Sequence, residues 1–173
     1  TDPGAPDPTP APPPPTTPFV RRVWRAALLD ACLYEEVEAD RTALPQAAAV
    51  VLLASLALGI GSFPNSGWTG IVTMTIAAFV GWVGWASITY GIGVWLLPAA
   101  QTRSDPGELL RTIGFSAAPG VFAVLGVLPG ANPWVFLAVG GWLLTAMVIA
   151  VRQALDYCTT LRAIAVCAIG FPL

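Results

Sequence analysis

The thirty residues from Trp68 to Leu97 contain no charged side chain. Fully helical at 1.5 Å per residue, such a run is about 45 Å long, more than the hydrocarbon core of a bilayer. It must tilt, bend or protrude. Gly91 and Gly93 mark the places for a bend, and Pro98 marks the stop. Similar blocks recur along the chain, each bounded by clusters of turn-forming residues. Ala43–Phe63 supplies about the twenty apolar residues that one crossing needs, with Pro45 in its first turn, where no amide partner is lost. The short stretch Pro64-Asn65-Ser66-Gly67 then sends the chain back antiparallel. Ile113–Leu128 is short and broken by Pro119-Gly120. A broken helix is tolerated in lipid only where neighbours satisfy its freed backbone, so this element is expected inside the bundle. After the turn 129–133, Trp134–Val151 forms a fourth block, and Thr159–Leu173 a fifth, incomplete one.

Charge is correspondingly scarce. Only 10% of the 173 residues are charged and mean hydropathy is +0.70, where a soluble domain carries about 25% charged residues. The expected fold is therefore all-α: a polytopic transmembrane bundle of four to five spans, about 43–63, 68–97, 113–128, 134–151 and 159–173. Residues 1–18 hold nine prolines among small polar residues and predict a disordered tail. No basic n-region leads into an early apolar stretch, so no cleavable signal is expected.

Segment 19–42 has helical periodicity. Phe19, Val23, Ala26, Ala27, Leu33 and Val37 recur at helical spacing, whereas Arg21, Arg22 and Arg25 sit toward the other side. This predicts an amphipathic helix on the membrane surface, anchored by those three arginines, with its acidic end, Glu35 to Asp40, in solvent. All eight basic residues are arginine. Arg21, Arg22, Arg25 and Arg41 precede the first block, Arg103 and Arg111 follow the second, and Arg152 and Arg162 flank the turn after the fourth, while loops 64–67 and 129–133 have none. The positive-inside rule then places the N-terminus and the 98–112 loop on the cytoplasmic side.

Several chemistries are disfavoured. There is no histidine, and Cys32, Cys158 and Cys167 lack paired spacing, so neither a zinc site nor a disulfide framework is suggested. No catalytic constellation or phosphate loop is visible, no cofactor is called for, and a net charge of -2 without a basic stripe argues against nucleic acid. Two features stand out. Arg152 and Asp156 lie four apart at the end of the fourth block, as an ion pair closing one end of the bundle or as a snorkelling arginine and a cap. Trp82 and Trp85 fall mid-block, away from the interfaces where tryptophan settles; their glycine-flanked rings suit helix packing or stacking against a flat lipid, quinone or pigment.

The stretches RAALLDACLYEEVEAD, ELLRTIGFSAAPGVFAVLGVLPG and AVRQALDYCTTLRAIAVCAIG resemble the bacterial branch of the Ypt-interacting-protein (YIP) domain family, over about residues 19–173. The resemblance implies a five-helix integral membrane protein of a bacterial inner membrane with a cytoplasmic N-terminus; bacterial members mostly lack an assigned activity, and without a catalytic constellation no enzymatic activity is expected of this chain. The eukaryotic branch is implicated in vesicle trafficking and binds Rab-type GTPases; where it has an Asp-Leu-Tyr-Gly-Pro-type motif, Leu33-Tyr34-Glu35-Glu36-Val37 stands here, so that binding is not carried over. The expected role is a membrane scaffold or adaptor that packs with lipids and other integral membrane proteins. The alternative is an accessory subunit of a large photosynthetic or respiratory complex.

Overall fold

The computed structural model describes residues 17–92, 105–155 and 159–170, and these form helices and turns with no strand among them. Helix α1 (Phe19–Ala27) ends in a Schellman closure. Leu29 N–H reaches the Ala26 carbonyl at 3.0 Å and Asp30 N–H the Arg25 carbonyl at 3.1 Å, with Leu29 in the left-handed region at φ 62°. Asp30 then caps α2 (Ala31–Ala39) by accepting from the Cys32 amide. Segment 19–42 is thus two short helices folded against each other, where the sequence suggests one. A single 3-10 turn, Arg41–Ala43, capped by Asp40, leads into α3.

Helix α3 (Leu44–Gly91) holds the first two apolar blocks in one helical stretch, broken at Gly67. At φ 59° and ψ -160° Gly67 occupies a backbone region that essentially only glycine enters. The chain reverses there: a Cβ added at Gly59 would lie 2.9 Å from the Ile71 Cα, and the Phe63 and Trp68 rings meet edge-on at 5.3 Å. Gly91 is helical, whereas Gly93 and Pro98 lie outside the described residues.

The third block begins earlier than its hydropathy suggests. Helix α4 (Pro106–Ser116) opens with a capping box, in which the Asp105 side chain accepts from the Glu108 amide and the Asp105 amide donates to Glu108 Oε2 at 2.8 Å. Helix therefore begins at Pro106, ahead of the block that starts at Ile113 in the sequence. Past Ser116 the chain tightens into a 3-10 helix, Ala118–Val127, because Pro119 lacks an N–H and its ring crowds the preceding turn. Runs of this kind rarely exceed four residues unaided. This one is held from both sides, by α3 and by α5 (Asn132–Ala154).

Against α3 the fit is set by small residues. Cβ atoms at Gly114 and Gly120 would lie 2.7 and 2.9 Å from the Ala47 and Ala54 methyls, and one at Gly61 would collide with the Ala123 carbonyl oxygen. Ala47, Ala54 and Gly61 recur every seven residues, one stripe along α3. The Asn132 amide closes the far end, donating to the carbonyls of Gly61 at 3.0 Å and Gly126 at 3.3 Å. As expected of a broken element, Pro106–Val127 is the most buried of the three stretches among the described residues that are long and apolar enough to cross a membrane; the others are Arg41–Gly91 and Asn132–Ala154. Helix α6 (Thr160–Gly170) packs Ala163 and Val166 into a core shared with Ala86, Leu109, Ile113 and Val151.

Candidate functional site

The polar chemistry of the described residues gathers where the α1–α2 pair meets the bundle. Each of these two helices leaves C-terminal carbonyls without a partner of its own, and the bundle supplies donors to them. On α5, the Trp142 indole N–H donates to the Ala27 carbonyl at 2.8 Å, and its ring stacks on Phe122 at 5.2 Å. From α4, Arg111 donates through Nε to the Val37 carbonyl at 3.0 Å and through its second terminal nitrogen to the Glu38 carbonyl. Its side chain is only 5% exposed, and a cation against a helix C-terminus is favourably placed in the helix dipole. Gln153 Nε2 adds a bond to Glu35 Oε1 at 2.8 Å. Fully buried Tyr34 and Leu33 fill the space between these contacts.

Within the pair, the arginines turn inward. Arg22, 3% exposed, places Nε 3.0 Å from Glu36 Oε1, while one terminal nitrogen lies 2.8 Å from Asp40 Oδ2 and 3.1 Å from Gln46 Oε1. Arg25 bridges Asp30 and Glu36, both at 2.7 Å. Of the three arginines expected to anchor the segment, then, two hold α1 to α2 and to the start of α3, and Arg21 stays exposed. The Arg25 guanidinium, more than any other influence, holds the Asp30 carboxyl below its ordinary range. Asp40 is lowered first by the Thr42 hydroxyl and then by Arg22. For Glu36, burial is the largest influence and pushes upward, but hydrogen bonds from Thr17, Arg22 and Arg25 together outweigh it.

All three carboxyls therefore bind protons less readily folded than unfolded. Their contribution is complete well above the unfolded carboxylate value of about 4 and is lost as pH falls through the lower folded values. The protection factors of the α1–α2 amides in the full chain, measured against the intrinsic exchange rate at each pH, should be constant from neutrality to about pH 5 and should fall below about pH 4. Protection that stays constant through that acid range would mean that these pairs contribute nothing.

Trp82 lies against α4, its indole N–H donating to the Leu110 carbonyl at 3.0 Å, with Phe79 edge-on at 6.0 Å. Trp85 packs half-buried beside the second core. Arg152 is exposed in the last turn of α5; Asp156 lies outside the described residues. Glu108 serves the capping box and Arg111 serves α2, so these neighbours work separately. At the opposite end of the molecule, beside the Gly67 reversal, an apolar cleft of about 490 Å³ is lined by Leu56, Ile60, Phe63, Trp68, Ile71 and Val127. Among the described residues, no group of three His, Cys, Asp or Glu side chains is placed to hold a metal ion.

Sequence reasoning missed the roles of Trp142 and Arg111, because donors to helix ends more than seventy residues away leave no local pattern. Compared with known proteins, the chain matches no family model, no curated protein and no solved structure.

Proposed function

We propose that the chain is a non-enzymatic integral membrane scaffold or adaptor of the YIP-domain type, with its N-terminal helical pair on the cytoplasmic side of a bacterial inner membrane. In this reading the two arms of α3, the α4 to 3-10 unit and α5 make four crossings, and α6 begins a fifth. One observation carries the scaffold reading. The α1–α2 pair is fixed to the bundle by side chains from α4 and α5, so the polar end is a rigid platform rather than a free tail. Support also comes from the second arm of α3, where Val72, Ile76, Val80 and Val83 stand exposed, an apolar face suited to lipid or a partner's helices.

The accessory-subunit reading draws on the cleft beside Phe63 and Trp68, which could receive an acyl or isoprenoid chain. Trp82 and Trp85, the stacking surface first expected, are engaged with their own chain on one side. A photo-crosslinking residue placed at Ala77, beside Ile76 on the exposed face of α3, separates the two roles in native membranes. The scaffold reading expects a discrete crosslinked membrane protein and no chromophore in the purified assembly. Crosslinks to lipid alone would overturn it, and a stoichiometric quinone or pigment would favour the alternative.

A further inference from the structure

Helix α1 carries a second apolar face that points away from the bundle. Val20, Trp24 and Leu28, four residues apart, are 76%, 57% and 61% exposed. Arg21 is exposed beside them, whereas Arg22, Ala26 and Ala27 are buried on the inner side. The inward arginines are neutralised by Asp30, Glu36 and Asp40 on and around α2. What α1 offers outward is thus an apolar ridge beside an exposed cation, with no acid of its own.

Helix α1 runs from the polar end of the bundle onto its apolar flank: Arg22, near its start, meets Gln46 at the head of the first apolar block. The rest of α1 lies on the 3-10 helix and on α5, where Ala27 accepts from Trp142. Leu125, Leu137 and Leu144 on those same two elements are exposed as well. At the tip of the pair, Leu29 occupies the left-handed position that closes a Schellman turn, where glycine avoids the Cβ clash. The chain holds leucines at 28 and 29 there, so the tip is apolar against local backbone preference.

We propose that the ridge Val20–Trp24–Leu28 inserts into the boundary between headgroups and acyl chains of the bilayer. Trp24 serves as the interfacial ring and Arg21 pairs with lipid phosphate. This rests on the membrane-resident reading above, but it moves the anchor from the three arginines to a face made mostly of apolar side chains.

The test uses the full chain in phosphatidylcholine vesicles, with and without lipid brominated near the headgroup end of the acyl chain. The emission of Trp24 is taken as the difference between the chain and Trp24→Phe. The proposal expects that difference to fall by at least half in brominated vesicles and to be little affected by aqueous iodide. Insensitivity to bromine overturns it, whether iodide then reaches the ring, meaning water, or fails to, meaning a covering protein surface or second copy. Trp68 and Trp134, exposed on the spanning stretches, give the control. If their emission also ignores bromine, membrane residence itself fails; if only Trp24 does, the ridge alone fails. Should Trp24→Phe lose its helical circular dichroism, Leu28→Trp read against the unchanged chain places a new reporter one turn along the same ridge, with the same two outcomes.

Discussion

Arg111→Leu should release α2 from the bundle at a cost of about 3 kcal/mol. Two charge-assisted hydrogen bonds are lost, each contributing about 1.5 to 3 kcal/mol. Removing a cation that is almost entirely buried returns part of its desolvation penalty, which keeps the net below the sum of the two. Leucine fills much of the volume but leaves the Val37 and Glu38 carbonyls without their donor, at a helix end already short of partners. By hydrogen exchange in the full chain, the α2 amides should lose protection by about a hundredfold, since each 1.4 kcal/mol is a factor of ten. Arg111→Lys should fall between, because a lysine brings the charge but not the planar fork that reaches two carbonyls at once. Unchanged protection in both variants would show that α2 holds its place by apolar contact alone.

Gly61→Val should do more damage, at the far end of the seam between α3 and the 3-10 helix. The added Cβ would enter the space of the Ala123 carbonyl oxygen, a backbone atom of the 3-10 helix that cannot rotate away as a side chain could. Relief requires that helix to retreat, which also breaks the Asn132 bridge to the Gly61 and Gly126 carbonyls. Overpacking of this kind costs about 3 kcal/mol or more, a large share of the stability of a small domain. The variant should aggregate on gel filtration in mild detergent. Gly81→Val is the matched control: apart from its own stretch of helix, nothing lies within 4 Å of a Cβ there, so it should elute like the unsubstituted chain. Equal behaviour of the two variants would mean that α3 and the 3-10 helix do not pack this closely.

The helical class is legible because uncharged blocks of this length leave few other options, and Pro64, Gly67 and Pro119 punctuate them openly. The start of α4 is hidden by its own chemistry. Asp105-Pro106-Gly107-Glu108 reads as a turn, yet an acid followed three residues later by glutamate is also the pattern of a capping box, and proline suits a first helical turn. The break at Leu28–Leu29 leaves only one local signal, Asp30 as the cap of the next helix, since no glycine or proline marks it. Arg22 and Arg25 read as facing headgroups because their partners, Glu36 and Asp40, lie beyond a break that local periodicity does not reveal. The ridge is hard to see for the opposite reason: α1 is apolar on two faces, and periodicity identifies the one that meets the bundle. The stripe Ala47, Ala54, Gly61 stands in plain heptad spacing, but small residues score as weakly apolar and vanish in a hydropathy average.

In the proposed role, lipid surrounds the apolar helices. Membranes from cells expressing the full chain, washed with alkaline carbonate and sedimented, test it most directly. The chain should remain wholly in the pellet and enter solution only with detergent. Its recovery from the wash as a folded, monodisperse species would contradict the account.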